Sequence, residues 1–351
     1  MTDVRDVIAA ARLPWSRWPD FSRHVDHVAR LYRARAGAPV WLEAGLPGRQ
    51  AREAVAQLAA AFTHGLDPVD YDASALDSLG RTLRETAGGS AAMRFDLLLS
   101  VAFLRFIADL HAGRAPPAPL SRTLSDPPLD LAAAVSAALA GDSVSRLADA
   151  VAPRLIQYQS LRVTLARYRA LAADSSIPLV PIVERLDPEE PYDGAPALAR
   201  RLGALGDLPT TTAPAPDSRY AGALVAAIRH FQRRHGLTAD GVIGPLTFRA
   251  LNTPMSHRVR QIELTLERLR WVPPLTGQRV VVVNIPAFRL FAFDSIRGTG
   301  APTLQMRVIV GRALDTRTPV LVEQLRYLEF RPYWNVPRSI LIGEILPLLR
   351  R

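Results

Sequence analysis

The sequence predicts an α+β protein, helical through its first two thirds and β-rich towards its end. Three observations predict it. From Val25 to Leu171 apolar residues recur three and four positions apart, the spacing of one buried helix face. Ala227–Asn252 reads as a helix, a glycine-cornered turn and a second helix. Beyond Pro273-Pro274 apolar residues form short runs and alternations, the signature of strands.

Composition bounds what such a protein does. A chain of 351 residues is long enough for two or three domains with real cores. Charged residues at 22% and hydrophobic ones at 48% describe an ordered protein. The net charge is +10, and every basic residue is arginine. A basic surface attracts polyanions, but the arginines are scattered and form no long run, so no nucleic-acid partner is expected. The absence of cysteine removes disulfides, thiolate metal sites and thiol nucleophiles together. No signal peptide is visible, because Asp3, Arg5, Asp6 and Arg12 interrupt Met1–Asp20. The longest apolar stretch, Met93–Leu110, carries Arg94, Asp96, Arg105 and Asp109 and reads as a buried helix, not a membrane span.

Taken in order, residues 1–20 read as a loose lead-in. Val25, Val28, Leu31 and Tyr32 share one helix face, broken by Gly37-Ala38-Pro39 before a short extended piece, Pro39–Leu42. His24 and His27 have metal-ligand spacing but no third ligand, so no metal is expected there. Ala51–Phe62 is a helix that Gly65 stops, and Asp67-Pro68 opens a short turn with Asp as its cap. Helices at Ala75–Thr86 and Met93–His111 are separated by Gly88-Gly89, and a proline run to Pro119 follows. Two or three more helices fill Leu129–Ala173. Four prolines between Ser175 and Asp193 mark a linker or a wrapping segment. Ala197–Leu205 is a short helix, and Gly206–Pro216 a surface loop.

In the hairpin, Leu224, Ile228 and Phe231 face one way, and Gly236 closes the helix in the left-handed region. Asp240-Gly241 turns the chain. Gly244-Pro245 opens the next helix, with Leu246, Ala250 and Leu251 as its apolar side and Asn252 with Pro254 as its stop. Gly241, Gly244 and Thr247 read as turn and cap residues. Val259, Ile262, Leu266 and Leu269 then place a helix up to Trp271. Strands are predicted at Arg279–Val283, Phe288–Phe293, Leu304–Val310 and Val320–Phe330, and a last helix at Ser339–Leu349.

The spacing of Phe231, Gly236, Asp240, Gly241, Gly244 and Thr247 resembles the three-helix peptidoglycan-binding domain of bacterial wall enzymes. LYRARAGAPVWL (Leu31–Leu42), HGLDPVDYDASAL (His64–Leu76) and IADLHAGR (Ile107–Arg114) resemble the scaffold domain of the long murein L,D-transpeptidases. LERLRWVP, VVVNIPAFRLFAF, VIVGR and RPYWNVPRSI resemble the opening of that family's catalytic domain. The resemblance implies a lead-in (1–20), a helical scaffold (21–174), a proline-rich linker (175–192), a peptidoglycan-binding module (193–254) and the incomplete, β-rich start of a catalytic domain (255–351).

It also implies a chemistry. The family transfers an acyl group between stem peptides through a cysteine thioester, a thiol being partly ionised near neutral pH and strongly nucleophilic. Its cysteine lies in a histidine-then-Ser-x-Gly-Cys motif beyond the YWNVP segment, and this sequence stops at Arg351 before reaching one. No catalytic residue is therefore expected here, and no cofactor. The implied partner is peptidoglycan, its stem peptides and its glycan, in the periplasm or cell envelope. Arg229, Arg233 and Arg234 are suited to stem-peptide carboxylates, with a solvated basic face as the alternative. Tyr333 and Trp334 read either as a stacking wall or as core residues. Two other readings stay open: a stand-alone wall-binding protein without catalysis, and a structural helical protein with a degenerate module. The oligomeric state is not readable.

Overall fold

The computed structural model describes residues 4–86, 90–115, 129–209, 218–272, 279–294, 301–312, 314, 316–320 and 323–349. The chain divides into a unit ending at Thr318 and a second beginning at Pro319. Among the described residues, no helix is long and apolar enough to cross a membrane.

The first core is helical. The start of the chain is not loose: it forms α1 (Val4–Ala10), and Val7, Leu13 and Phe21 are buried. Asp72 fixes the intervening turn, accepting from Ser16 Oγ at 2.6 Å and from Arg17 N–H at 2.9 Å. Three apolar anchors and one buried carboxylate outweigh the charges that made this stretch read as a tail. α2 (Val25–Arg33) buries Val28, Leu31 and Tyr32 of the predicted stripe. A small hairpin, β1 (Leu42–Glu43) with β2 (Leu46–Pro47), follows, then α3 (Arg49–Ala59) and α4 (Ala73–Thr86). Asp67 caps its turn as expected, accepting from Val69 N–H.

α5 (Ser90–Ala112) is the axis, burying Phe95, Leu99, Phe103, Phe106 and Leu110. Its fully buried Asp96 accepts from Tyr32 Oη (2.6 Å) and from the N–H groups of Val40 (3.0 Å) and Trp41 (2.7 Å). Burial raises the Asp96 pKa while these donors pull it down. α6 (Leu131–Ala140), capped by Asp130, and α7 (Val144–Val151) close this core. The expected Gly88-Gly89 break, the prolines from Pro116 to Pro119 and most of the Gly206–Pro216 loop lie outside the described residues.

α8 (Ile156–Ala173) pairs along its length with α12 (Met255–Arg270), and between them Tyr158, Leu165 and Leu266 are buried. α12 also seats on the first core. Arg270, buried, donates to the His64 carbonyl, to Tyr158 Oη (3.1 Å) and to Glu267 (2.7 Å). Gly113, just past α5, sits in the left-handed region at φ +74°, and a Cβ there would fall 2.5 Å from Trp271 Nε1. Only glycine permits that approach.

The second core is built from α9 (Ala195–Leu205), α10 (Ala223–Arg234) and α11 (Pro245–Leu251). β3 (Glu190–Pro191) pairs antiparallel with β4 (Arg219–Tyr220), and Leu186 bridges Ile243. The proline-rich segment wraps this core: Val180, Leu186 and Tyr192 are buried in it.

β5 (Val280–Asn284), β6 (Arg289–Phe293) and β7 (Leu304–Arg307) form an antiparallel sheet, with Val282 opposite Phe291 and Leu290 opposite Met306. In the second unit, Arg338–Leu349 is helical through a π-turn at Leu341–Ile345. The strand expected at Val320–Phe330 does not form among the described residues, which have no ladder partner. An apolar run becomes a strand only when a neighbour takes its backbone hydrogen bonds.

Candidate functional site

A buried amide ties the turn of the helical hairpin to its first helix. Gln232, on the buried face of α10 beside Phe231, accepts from Gly241 N–H at 3.0 Å and donates to the Val242 carbonyl at 2.9 Å. Its amide thus replaces the ladder that the turn lacks. Asp240 closes the turn, its Oδ1 accepting from Val242 N–H at 2.9 Å. Gly241 (φ +85°) and Gly236 (φ +71°) occupy the left-handed region. Gly244 does not. At φ −92° and ψ −176° it is extended backbone before Pro245, so its role is the helix entry. Thr247 is buried near the Gln232 amide. Along α11 the apolar side agrees with the expected one at Leu251, which is buried, and at Ala250, which packs on the core, but Leu246 is 58% exposed and Phe248 is buried instead.

The three candidate arginines divide. Arg234 is engaged inside the fold: Asp207, its carboxylate fully buried, receives Arg234 Nε at 2.7 Å and a second bond from Nη2, and His230 Nδ1 lies 2.7 Å from the same carboxylate. Its guanidinium also stacks 5.2 Å over the Phe231 ring. Arg229 donates Nε–H to the Asp240 carbonyl at 3.2 Å and packs beside Gly241. Arg233 points to solvent. His235 lies against the Phe231 ring, and burial, with Arg234 and Arg258 adding to it, lowers its pKa to about 4. Tyr333 and Trp334, 94% and 69% exposed, lie outside any helix or strand in the second unit.

Beside the hairpin runs a groove of about 700 Å³, between Ile182–Glu184 and α11. Asn252, the helix stop, fixes one wall: its amide accepts from Val180 N–H (2.9 Å) and donates to the Val180 carbonyl (2.8 Å). Arg201 braces the same corner, donating to the carbonyls of Pro178, Leu251 and Thr253. Sequence reading missed Gln232, Asp207, Glu184 and Arg249. Gln232 stood in the motif next to Phe231. Asp207 carried no local signal, since its partners lie on another helix.

The chain thus combines a helical platform, a glycine-cornered helical module and a small antiparallel sheet, in that order. Three family models match in that order: "Scaffold domain" over residues 26–165, "Putative peptidoglycan binding domain" over 193–251, and "L,D-transpeptidase catalytic domain" over 278–351. The chain carries the domain series of the scaffold-type murein L,D-transpeptidases. A protein of Haemophilus influenzae described as "Putative L,D-transpeptidase" is 30% identical over 95 residues, 27% of this chain. The aligned stretch spans 18% of that relative's own length.

Proposed function

We propose that this chain attaches to peptidoglycan and serves a murein L,D-transpeptidase, the enzyme that cross-links stem peptides through a cysteine thioester. The observation that carries the reading is the hairpin: Gln232, Asp240 and Gly241 build the turn of a peptidoglycan-binding-type module in the stretch, 193–251, where that family matches. On this reading residues 21–174 are the platform, 193–254 the binding module and 255–351 catalytic-domain sequence. The setting is the periplasm or cell envelope. The 351 residues include no cysteine, so the thiol of the family's reaction is not among them, and wall attachment is the activity these residues support. The same observation favours a second reading, a wall-binding protein without catalysis.

Arg233, solvent-facing on α10, is positioned for stem-peptide carboxylates, and the exposed Tyr333 and Trp334 for a stacking contact. Co-sedimentation of the full chain with purified sacculi tests the proposal. Retention at low salt is expected, weakening as salt screens the arginine contacts and falling several-fold in Arg233→Glu. A wild-type chain that stays in the supernatant overturns the reading.

A further inference from the structure

The groove beside α11 holds two charges that pair with no other described residue. Its floor is apolar, formed by Ile182, Val183, Pro245 and the edge of the buried Phe248, and Ile182 is 70% exposed. Its polar neutral groups are occupied. Asn252 spends both amide atoms on Val180, and Thr253 donates its hydroxyl to the Arg249 carbonyl at 2.9 Å. What remains is Arg249 on α11 and Glu184 on the wrapping segment, both lining the groove. Among the described residues neither side chain has an ion pair or hydrogen bond. The next residue, Arg185, is taken by Asp187 (Nε–Oδ2 2.6 Å) and does not neutralise Glu184.

We propose that this groove binds an extended peptide bearing both a free carboxylate and a free primary amine, the carboxylate on Arg249 and the ammonium on Glu184. The assignment rests on the peptidoglycan reading and deepens it: the handle is the stem peptide, whose diamino residue and terminal carboxylate supply both charges, and not the sugar. A sugar ring would be gripped by an exposed aromatic face and by free hydrogen-bonding groups. Among the groove's residues the one aromatic, Phe248, is buried, and the amide and hydroxyl are engaged. Guanidinium takes a carboxylate bidentately, and an apolar floor suits the methyl and methylene groups of a short peptide.

Titration calorimetry on the full chain tests this with a synthetic stem tetrapeptide in three forms: unmodified, C-terminally amidated, and N-acetylated at the side-chain amine. The unmodified peptide is expected to bind. Amidation is expected to weaken wild-type binding about tenfold, as expected for one charge-assisted bond. Arg249→Gln should weaken the unmodified peptide equally and be indifferent to amidation. Glu184→Gln should behave likewise towards acetylation. The modified peptides probe the wild-type chain, so the test survives a variant that folds poorly. Equal binding of all three peptides to the wild type overturns the groove assignment. Retention on sacculi without any peptide binding overturns it too, and leaves the peptidoglycan reading standing. Loss of both would sink the two together.

Discussion

Gln232 shows how one buried amide can decide a local fold. Its two bonds, to Gly241 N–H and the Val242 carbonyl, satisfy backbone groups that a tight turn leaves open. Gln232→Leu keeps the volume and strands both groups, so it is expected to cost about 2–3 kcal/mol in urea unfolding. An unchanged midpoint would mean that water replaces the amide. Three histidines carry a pH signature. Burial is the first cause of the lowered pKa, to about 4, at His24, His64 and His235. Their ordinary value is 6.5, so between pH about 6.5 and 4 the unfolded chain binds protons that the folded chain refuses. Stability is therefore full above that window and falls as pH drops through it. Asp96 and Asp109, their pKa raised by burial, act in the opposite sense where their own carboxyls titrate. Thermal melts from pH 7.5 to 4.5 should show the midpoint falling, and His64→Gln should flatten the slope. At this scale the sequence was legible where the motif was dense. Phe231 and the turn glycines were placed correctly. Leu246 was not, because a seven-residue helix makes under two turns and either of two adjacent stripes fits it.

Elements were read best where they are long and amphipathic. The Val259, Ile262, Leu266 and Leu269 stripe identified the buried side of α12, and α5 was recognised as a buried helix despite its four charges. What periodicity does not carry is the partner. α12 packs on α8, far back in the chain, and its last turn plugs into the first core through Arg270. The α1 helix was invisible for a related reason: seven residues with scattered charge form a helix only because Val7 and the following Leu13 find a core. The Val320–Phe330 run failed in the other direction, with strand-like composition and no ladder neighbour. Arg270 makes the α12 seat testable. Arg270→Leu leaves Glu267 without its 2.7 Å partner and the His64 carbonyl without a donor, so a loss of about 3 kcal/mol is expected. Arg260→Leu, on the exposed side of the same helix, should stay within about 0.5 kcal/mol. Similar losses in both would show that Arg270 acts through general helix packing and not as a plug.

Across the whole chain, burial is uneven in a way that bears on handling and on function. The two helical cores each bury a large set of apolar side chains, Phe95, Phe103 and Phe106 in the first and Tyr220, Phe231 and Phe248 in the second. The β5–β6–β7 sheet does not: Val281 and Val283 are exposed on one face of β5 and Val282 on the other, with Phe288, Leu304 and Met306 open nearby. A strand whose edge and both faces meet water gains little from burial, and its free N–H and C=O groups invite pairing with another chain. In the second unit, Leu325, Tyr327, Leu328 and Phe330 are exposed on chain without a ladder. Local opening should therefore be cheapest beyond residue 279 and dearest in the cores. Limited proteolysis at low protease is expected to cut first within 279–349 and to leave a resistant fragment extending to about Trp271. Amide exchange should follow the same order, fast in β5 and β7 and slow in α5 and α10. Equal resistance on both sides of Trp271 would mean that the sheet is covered in solution, and size-exclusion chromatography of that sample would show whether a second copy of the chain supplies the cover.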